Sequence, residues 1–237
     1  MRLDKFLTVT GTASRSEATK AIRRGDVLVD GEAIKTAATQ IDPEKCTVEY
    51  AGELIVYRQY TYIMMNKPEG IVSATEDGRD RTVLDLLPEK LRRLNLFPCG
   101  RLDKNTVGLM LLTNNGELAH HLLAPKSHVA KTYQFISQNA LTAEDAEKLE
   151  NGVYIAGGYL TKPARVSLFD DGMGGRITIT EGKYHQIKLM LEAVGNKIVF
   201  LKRITFGSLV LDENLAAGEW RFLTDEEIKN LESNGRN

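Results

Sequence analysis

Residues 100–109 carry the strongest sign of chemistry, because one acid stands there between two cations. Asp103 is flanked by Arg101 and Lys104, and a small-residue turn and an apolar segment follow. Nearby cations stabilise an ionised carboxylate, which can act as a nucleophile or as a general base. The alternative is structural, since an aspartate in such a turn commonly accepts bonds from backbone amides. Taken alone, the segment favours the structural alternative.

A second polar group stands at the start of a predicted amphipathic helix over residues 186–194. Lys183, His185 and Lys188 lie there, where backbone amides also attract anions. A solvated helix face is the alternative for these cations. Tyr133 opens a predicted strand, and a tyrosine in that position usually serves packing.

Other catalytic chemistry has little support in the sequence. His120 and His121 are adjacent, so on a helix they point about 100° apart and chelate poorly. Cys99 has no evident basic partner, which favours a plain buried thiol over a nucleophile. Phosphate-binding glycine motifs are absent. We therefore expect no metal site and no nucleotide cofactor.

The composition is that of an ordinary globular chain, with 237 residues, 42% hydrophobic and 27% charged. Two cysteines cannot build a disulfide framework. No apolar run approaches the ~18 residues that a membrane span needs, and no secretory signal opens the chain. These features predict a cytoplasmic protein with reduced thiols and no membrane partner.

Charge is polarised along the first quarter of the chain, although the net charge is only −1. Residues 1–25 carry six cations against two acids, whereas residues 26–57 carry two cations against seven acids. A nucleic-acid partner must therefore be bound through local clusters rather than through the overall charge.

The elements predicted for this first part are two basic helices and several short strands. Leu3, Phe6 and Leu7 recur at helical spacing. Ser14 and Glu17 form a capping-box pattern that begins a second helix, which Gly25 ends. We assign residues 1–57 to this first domain.

Residues 58–237 are assigned to a second domain of mixed strands and helices. Its predicted strands are 62–66, 107–112, 133–137, 176–180, 199–201 and 209–211, and its predicted helices are 82–87, 117–123 and 186–194. Residues 172–175 are expected to form a glycine turn, and the tail after about Glu232 is expected to fray. Without a regular βαβ rhythm, this order favours an α+β fold.

Five motifs in order along the chain resemble those of the RsuA-type pseudouridine synthases, which modify ribosomal RNA. The resemblance runs from Met1 to about Ile228. Residues 1–50 are similar to an S4 RNA-binding module, and the catalytic-domain motifs are Asn66-Lys67-Pro68-Glu69-Gly70, Gly100-Arg101-Leu102-Asp103 with Thr106 and Gly108, Lys131-Thr132-Tyr133, and Gln186-Ile187-Lys188. The fold that this implies is a small S4-like domain followed by a mixed, mainly antiparallel-sheet pseudouridine synthase domain.

The resemblance implies conversion of uridine to pseudouridine within RNA, without a cofactor. It assigns the catalytic carboxylate to Asp103, its cationic partner to Lys188, and a stacking face with a nearby hydroxyl to Tyr133. Arg101 would fill the space that the extruded uridine leaves or hold its phosphate.

The implied partner is ribosomal RNA, either small-subunit rRNA or its assembly particle, and the protein is expected to be a monomer. The residues expected to contact RNA are Arg2, Lys5, Arg15, Lys20, Arg23, Arg24, Lys67, Arg101, Lys183, His185 and Gln186. The segment Lys-Tyr-His-Gln-Ile-Lys at residues 183–188 favours small-subunit (16S) rRNA. A large-subunit target and a non-catalytic ribosome-assembly factor are the alternatives.

Overall fold

The computed structural model describes residues 1–233 and divides the chain into two compact units. The first unit combines Met1–Thr61 with Leu87–Phe97, and the second combines Tyr62–Leu86 with the chain from Pro98 onward. The division after residue 57 is thus displaced to residue 61, and residues 87–97, expected in the second domain, pack with the first. Most of the tail expected to fray lies outside the described residues. No helix within residues 1–233 is long and apolar enough to cross a membrane.

The first unit consists of two helices and a small antiparallel sheet. Its helices are α1 (Leu3–Val9) and α2 (Arg15–Arg24), and its strands are β1 (Val27–Val29), β2 (Glu32–Ala33), β3 (Val48–Tyr50) and β4 (Glu53–Leu54). The sheet order is β2-β1-β3-β4. Leu3, Phe6 and Leu7 are buried in the core beside Ala18 and Ile22 of α2. The predicted helices are confirmed.

The capping box that begins α2 is confirmed. The Glu17 amide donates to the Ser14 hydroxyl, and the Ser14 amide donates to the Glu17 carboxylate at 2.7 Å. Gly25 ends the helix in the left-handed conformation, with φ of 86°. A short helix, α3 (Glu89–Arg92), belongs to the same unit, where Arg93 pairs with Glu17 at 3.3 Å.

The second unit is built on a mixed sheet. Its strands are β5 (Tyr62–Lys67), β6 (Phe97–Pro98, which starts on the last residue of the first unit), β7 (Val107–Thr113), β8 (Lys131–Ser137), β9 (Tyr154–Ile155), β10 (Tyr159–Leu160), β11 (Arg165–Leu168), β12 (Gly174–Ile179), β13 (Ile198–Phe206), β14 (Leu209–Val210) and β15 (Trp220–Phe222). Its helices are α4 (Gly116–Leu123), α5 (Ala143–Asn151), α6 (Gln186–Ala193) and α7 (Asp225–Ser233).

The strand order of the main sheet is β11-β12-β8-β13-β7-β5-β15. All neighbours in this order are antiparallel except β7 and β13, which run parallel. The expected α+β fold with a mainly antiparallel sheet is confirmed. β7 lies inside the sheet, so the loop that precedes it leads into a largely buried strand.

Two local predictions are only partly right. Residues 82–87 form only a 3-10 turn at Leu84–Leu86. The Thr82 amide donates to the Asp85 carboxylate at 2.7 Å, as at the start of a helix, but Pro88 follows and cannot continue it. Of the predicted glycine turn at residues 172–175, Gly172 lies in the turn between β11 and β12, with φ of 68°, whereas Gly174 and Gly175 lie inside β12. A Cβ on Gly174 would lie within 2.4 Å of the Phe135 carbonyl oxygen, so glycine is needed there for close strand approach.

Candidate active site

The loop between β6 and β7 carries Asp103 and is fastened through its backbone. The Leu102 amide donates to the Ser73 hydroxyl at 3.0 Å, and that hydroxyl donates back to the Leu102 carbonyl at 2.8 Å. The Thr106 amide closes a turn on the Asp103 carbonyl at 3.0 Å. These bonds fix the backbone on both sides of Asp103 and leave its carboxylate available.

Lys67, the last residue of β5, holds the same loop from inside the protein. Its ammonium donates to the carbonyls of Asp103, Lys104 and Thr106, and to that of Pro68. The side chain is fully buried, and burial lowers its pKa to about 8. The predicted RNA contact is therefore wrong for Lys67, because its ammonium is buried and binds backbone carbonyls inside the protein.

Asp103 and Lys188 form an ion pair, although they lie far apart in the sequence. Lys188 Nζ is 2.6 Å from Asp103 Oδ2, and the side chains are 19% and 29% exposed, respectively, for Lys188 and Asp103. The same ammonium donates to Asn105 Oδ1 at 2.6 Å. Sequence reasoning missed Asn105, for which the only signal was its place two residues after Asp103. The structure thus joins the loop before β7 to the first turn of α6.

The other oxygen of the Asp103 carboxylate faces a histidine. His185 Nε2 lies 3.6 Å from Asp103 Oδ1. His185 precedes α6 in the left-handed conformation, with φ of 51°. This conformation is uncommon for a residue with a side chain, so the surrounding structure must hold it. Each carboxylate oxygen therefore has its own nitrogen neighbour.

Gln186 is buried and organises the segment before α6. Its Nε2 donates to the buried Glu181 carboxylate at 2.6 Å, and its Oε1 accepts from the Lys183 amide at 2.9 Å. Glu181 also accepts from the Tyr159 hydroxyl at 2.6 Å. The predicted RNA contact is wrong for Gln186, since its amide is used inside the protein. Glu181 was not identified from the sequence.

Four strands place a row of residues beneath the site. Lys67 on β5 pairs with Gly108 on β7, Gly108 with Arg203 on β13, and Arg203 with Tyr133 on β8. Gly108 has φ of 99°, and a Cβ there would lie 2.3 Å from the Arg203 carbonyl oxygen. Only glycine fits, so the turn that carries Asp103 can approach β13 closely.

Tyr133 lies in this row, two strands from Gly108, or about 10 Å at the usual strand spacing. The side chain is buried. Within residues 1–233 no hydrogen bond joins it to Asp103 or Lys188. Of the three residues predicted to be catalytic, Asp103 and Lys188 are in direct contact, and Tyr133 lies two strands away from β7 in the same sheet.

Arg203 is a buried cation that sequence reasoning did not select. Its Nε donates to the Leu109 carbonyl at 2.8 Å, and its guanidinium lies 5.1 Å from the Phe206 ring centroid. Lys131 lies over the same ring at 5.6 Å, and burial lowers the pKa of Lys131 to about 8. Nothing local in the sequence distinguishes buried Arg203 and half-buried Lys131 from solvated cations.

The remaining predicted RNA contacts are exposed. Arg101 is exposed beside Asp103, and Lys183 lies with its ammonium 4.3 Å from the Tyr159 ring centroid. In the first unit the exposed cations are Arg2, Lys5, Arg15, Lys20, Arg23 and Arg24. Two of them are paired, Arg2 with Asp4 at 2.6 Å and Arg24 with Asp26 at 2.7 Å.

Cys99 is not a nucleophile in this structure. The side chain is buried, and burial raises its pKa to about 12, which keeps it a thiol. No group of three or more histidine, cysteine or acidic residues in the described part of the chain could hold a metal ion.

Comparison with known proteins identifies the families of both parts of the chain. A family described as RNA pseudouridylate synthase matches residues 61–193, which include Asp103, Tyr133 and Lys188, and the S4 domain family matches residues 1–45. An uncharacterized RNA pseudouridine synthase of Bacillus subtilis is 49% identical, covering 96% of this chain and 97% of that protein.

Proteins named ribosomal small subunit pseudouridine synthase A are also similar over their full length. Those of Vibrio cholerae and Salmonella typhimurium are 40% identical and cover 98% of this chain, with 99% and 100% of the relatives covered. A crystal structure of a pseudouridylate synthase superposes with a TM-score of 0.69 at 38% identity, covering 98% of this chain and 99% of that one. The chain therefore belongs to the RNA pseudouridylate synthase family, with an S4 domain ahead of the catalytic domain.

Proposed function

We propose that this pseudouridine synthase isomerises a uridine in small-subunit (16S) ribosomal RNA, with Asp103 as its catalytic carboxylate. The observation that carries the catalytic assignment is the 2.6 Å pair between Asp103 and Lys188 inside the region that matches the family. The small-subunit target is supported by full-length similarity to proteins named for that activity.

Pseudouridine formation is a rearrangement within one nucleotide. The C1′–N1 bond breaks, the base rotates, and a C1′–C5 bond forms, while C5 loses a proton and N1 gains one. No oxidant, reductant or second substrate is consumed, so the reaction needs no cofactor. Attack on the base at C6, attack at C1′ and removal of the 2′ proton all begin with an ionised carboxylate.

The surroundings of Asp103 suit this requirement. Lys188 compensates the charge of the partly buried carboxylate, and the exposed remainder leaves space for the nucleotide. Tyr133 supplies a flat ring for the target base and a hydroxyl near the sugar. Arg101, exposed beside the site, takes the space in the RNA stack or binds a phosphate.

The first unit binds the same RNA through phosphates. Its exposed cations on α1 and α2 provide charge without base recognition, which fits an anchoring role. An overall charge of −1 limits indiscriminate RNA binding. Action on ribosomal RNA implies a cytoplasmic location, and one chain holds both units, which is consistent with a monomer.

The test compares three proteins on separate small-subunit and large-subunit rRNA transcripts. Wild-type protein, Asp103→Asn and Asp80→Asn are incubated with each RNA, and pseudouridine is mapped by carbodiimide modification. Asp80 is the matched control, because it is a partly exposed carboxylate that pairs with Lys104 of the same loop at 2.7 Å. RNA binding is measured in parallel.

We expect one modified uridine in the small-subunit transcript with wild type and Asp80→Asn. Asp103→Asn should bind RNA and form no pseudouridine, because the amide is neither a nucleophile nor a base. Normal turnover by Asp103→Asn would remove Asp103 from its role. A site only in large-subunit RNA would assign the enzyme to that subunit, and no site in any RNA would favour an assembly factor.

A further inference from the structure

An exposed aromatic ring lies beside the Asp103 site without a role in the chemistry described above. The Tyr184 side chain is 78% exposed, which is unusual for a residue with a large apolar body. One face of its ring is stacked on His185, with 3.8 Å between the ring centroids and 18° between the planes. No other ring contact of Tyr184 occurs in the described part of the chain.

The stacked pair leads directly to the reacting carboxylate. His185 lies between the two groups, with Nε2 at 3.6 Å from Asp103 Oδ1 and its ring against Tyr184. Tyr184 is thus one ring removed from Asp103. A nucleotide whose sugar and base lie at Asp103 has its chain neighbour within reach of Tyr184.

The segment that carries both rings is held in place before RNA arrives. The Lys183 amide is bonded to Gln186 Oε1, Gln186 is bonded to Glu181, and Glu181 is bonded to the Tyr159 hydroxyl. A preorganised ring loses little conformational entropy when it binds a ligand.

The chemistry of this surface fits a nucleobase. Base–aromatic stacking needs an open ring face and tolerates any base, because every base has a π face. Lys183 directly precedes Tyr184 in the chain, and Lys188 pairs with the same Asp103 carboxylate that His185 faces, so this segment carries cations that attract the phosphates accompanying the base.

We propose that Tyr184, backed by His185, is the stacking platform for the nucleobase adjacent to the target uridine. The inference rests on the proposed function, since it needs Asp103 to hold the target nucleotide. Extrusion of a uridine breaks its stacking with both neighbours, and stacking of one neighbour on Tyr184 offsets part of that cost. Tyr184 is an RNA-positioning residue, and Asp103 remains the reacting group.

The first arm of the test measures kcat/KM by tritium release from C5-labelled uridine in RNA that wild type modifies. Tyr184→Leu should lower kcat/KM by about 5- to 150-fold, the range for loss of one base stack. Tyr184→Phe, which keeps the ring, should stay within about threefold of wild type. The matched control is Tyr154→Leu, because Tyr154 is 69% exposed and lies near Ala193 at the opposite end of α6.

The second arm replaces each neighbour of the target uridine by an abasic nucleotide. Wild type should have a lower kcat/KM on one of these abasic RNAs than on the intact RNA. On that abasic RNA, Tyr184→Leu and wild type should have nearly equal kcat/KM, because the two changes remove the same stacking interaction. The proposal would be contradicted if Tyr184→Leu lowered kcat/KM relative to wild type as much on both abasic RNAs as on the intact RNA. It would also be contradicted if Tyr154→Leu lowered kcat/KM by the same factor as Tyr184→Leu. If wild type modifies a large-subunit uridine instead, the proposed target is wrong. The same comparison around that uridine still tests whether Tyr184 stacks on the neighbouring base.

Discussion

The two oxygens of the Asp103 carboxylate have different neighbours. Oδ2 accepts from Lys188 at 2.6 Å, while Oδ1 lies 3.6 Å from His185 Nε2 and is the less tightly held. Because Asn105 also accepts from Lys188, the ammonium is fixed by two acceptors at 2.6 Å each. The pair is partly exposed, so its contribution to folding is small. In the proposed reaction its role is to orient the carboxylate.

Replacing Lys188 tests this orientation. Lys188→Met should lower kcat by about 10- to 100-fold, because the variant cannot make the charge-assisted hydrogen bond to the carboxylate. Lys188→Arg should recover part of the activity, since it restores a cation with a different reach. The rate is measured by single-turnover kinetics on the RNA that the wild-type protein modifies.

Asn105→Ala is the control for that experiment. It removes the second acceptor and leaves the Asp103–Lys188 pair, so its effect on kcat should be smaller than that of Lys188→Met. Equal activity of Lys188→Met and wild type would contradict a role for the pair.

At the scale of elements, the site depends on how β5 supports the loop before β7. Lys67 ends β5 and donates to three carbonyls of that loop. The Gly70 amide adds a bond to the Lys104 carbonyl at 2.9 Å. Backbone carbonyls buried without a donor are costly, so the loop keeps its shape only while Lys67 Nζ donates to them, as an ammonium or as a neutral amine.

Lys67→Met should destabilise the second unit by about 1–3 kcal/mol near neutral pH, because the buried carbonyls lose their donor. Urea unfolding followed by the fluorescence of Trp220, the only tryptophan, reports on this unit. Lys104→Met is the control, since Lys104 is exposed and its pair with Asp80 contributes little.

The difference in the free energy of unfolding between wild type and Lys67→Met should depend on pH. The pKa of Lys67 is about 8 in the folded protein and 10.5 in the unfolded chain, so the unfolded chain binds the extra proton between these values. The free energy of unfolding of wild type relative to Lys67→Met should therefore rise as the pH rises from about 8 to 10.5. Lys131 is present in both proteins and cancels. A difference that falls over this window would contradict the assignment.

At the scale of the whole molecule, the net charge of −1 conceals an uneven distribution of charge along the chain. The cations of residues 1–25 lie on two helices whose apolar sides form the core of the first unit, which leaves the charged sides exposed. Among these cations, Lys5, Lys20 and Arg23 form no ion pair in the described residues. Arg2 and Arg24 are paired with acids, so they are less available to bind phosphates.

Replacing Lys20 and Arg23 together by alanine should reduce the salt dependence of RNA binding. The slope of log K against log salt should fall by about 0.7 for each single-strand phosphate that the protein no longer neutralises. The control replaces Lys35 and Lys45, which changes the charge equally in the acidic half of the module and should leave the slope unaltered. Equal slopes in both double variants would remove α2 from the RNA interface.

The sequence by itself determined the features whose signals lie within a few residues. The Ser14–Glu17 capping box, the stop at Gly25 and the apolar spacing of α1 each act over one or two helical turns, so they are visible without the fold. The motifs around Asp103, Tyr133 and Lys188 identified the family for the same reason. The capping box of Thr142 and Asp145 before α5 is a local signal of the same kind.

Only the tertiary structure decided which polar groups are inside. Lys67 and Gln186 resemble solvated residues in the sequence, yet each is buried against partners from other segments, and Asn105 acquires its role only when α6 brings Lys188 to it. The helix predicted at residues 82–87 is only a 3-10 turn, and two glycines of the predicted turn, Gly174 and Gly175, lie in an internal strand of the sheet. Burial and pairing depend on contacts between distant residues, and local spacing does not contain that information.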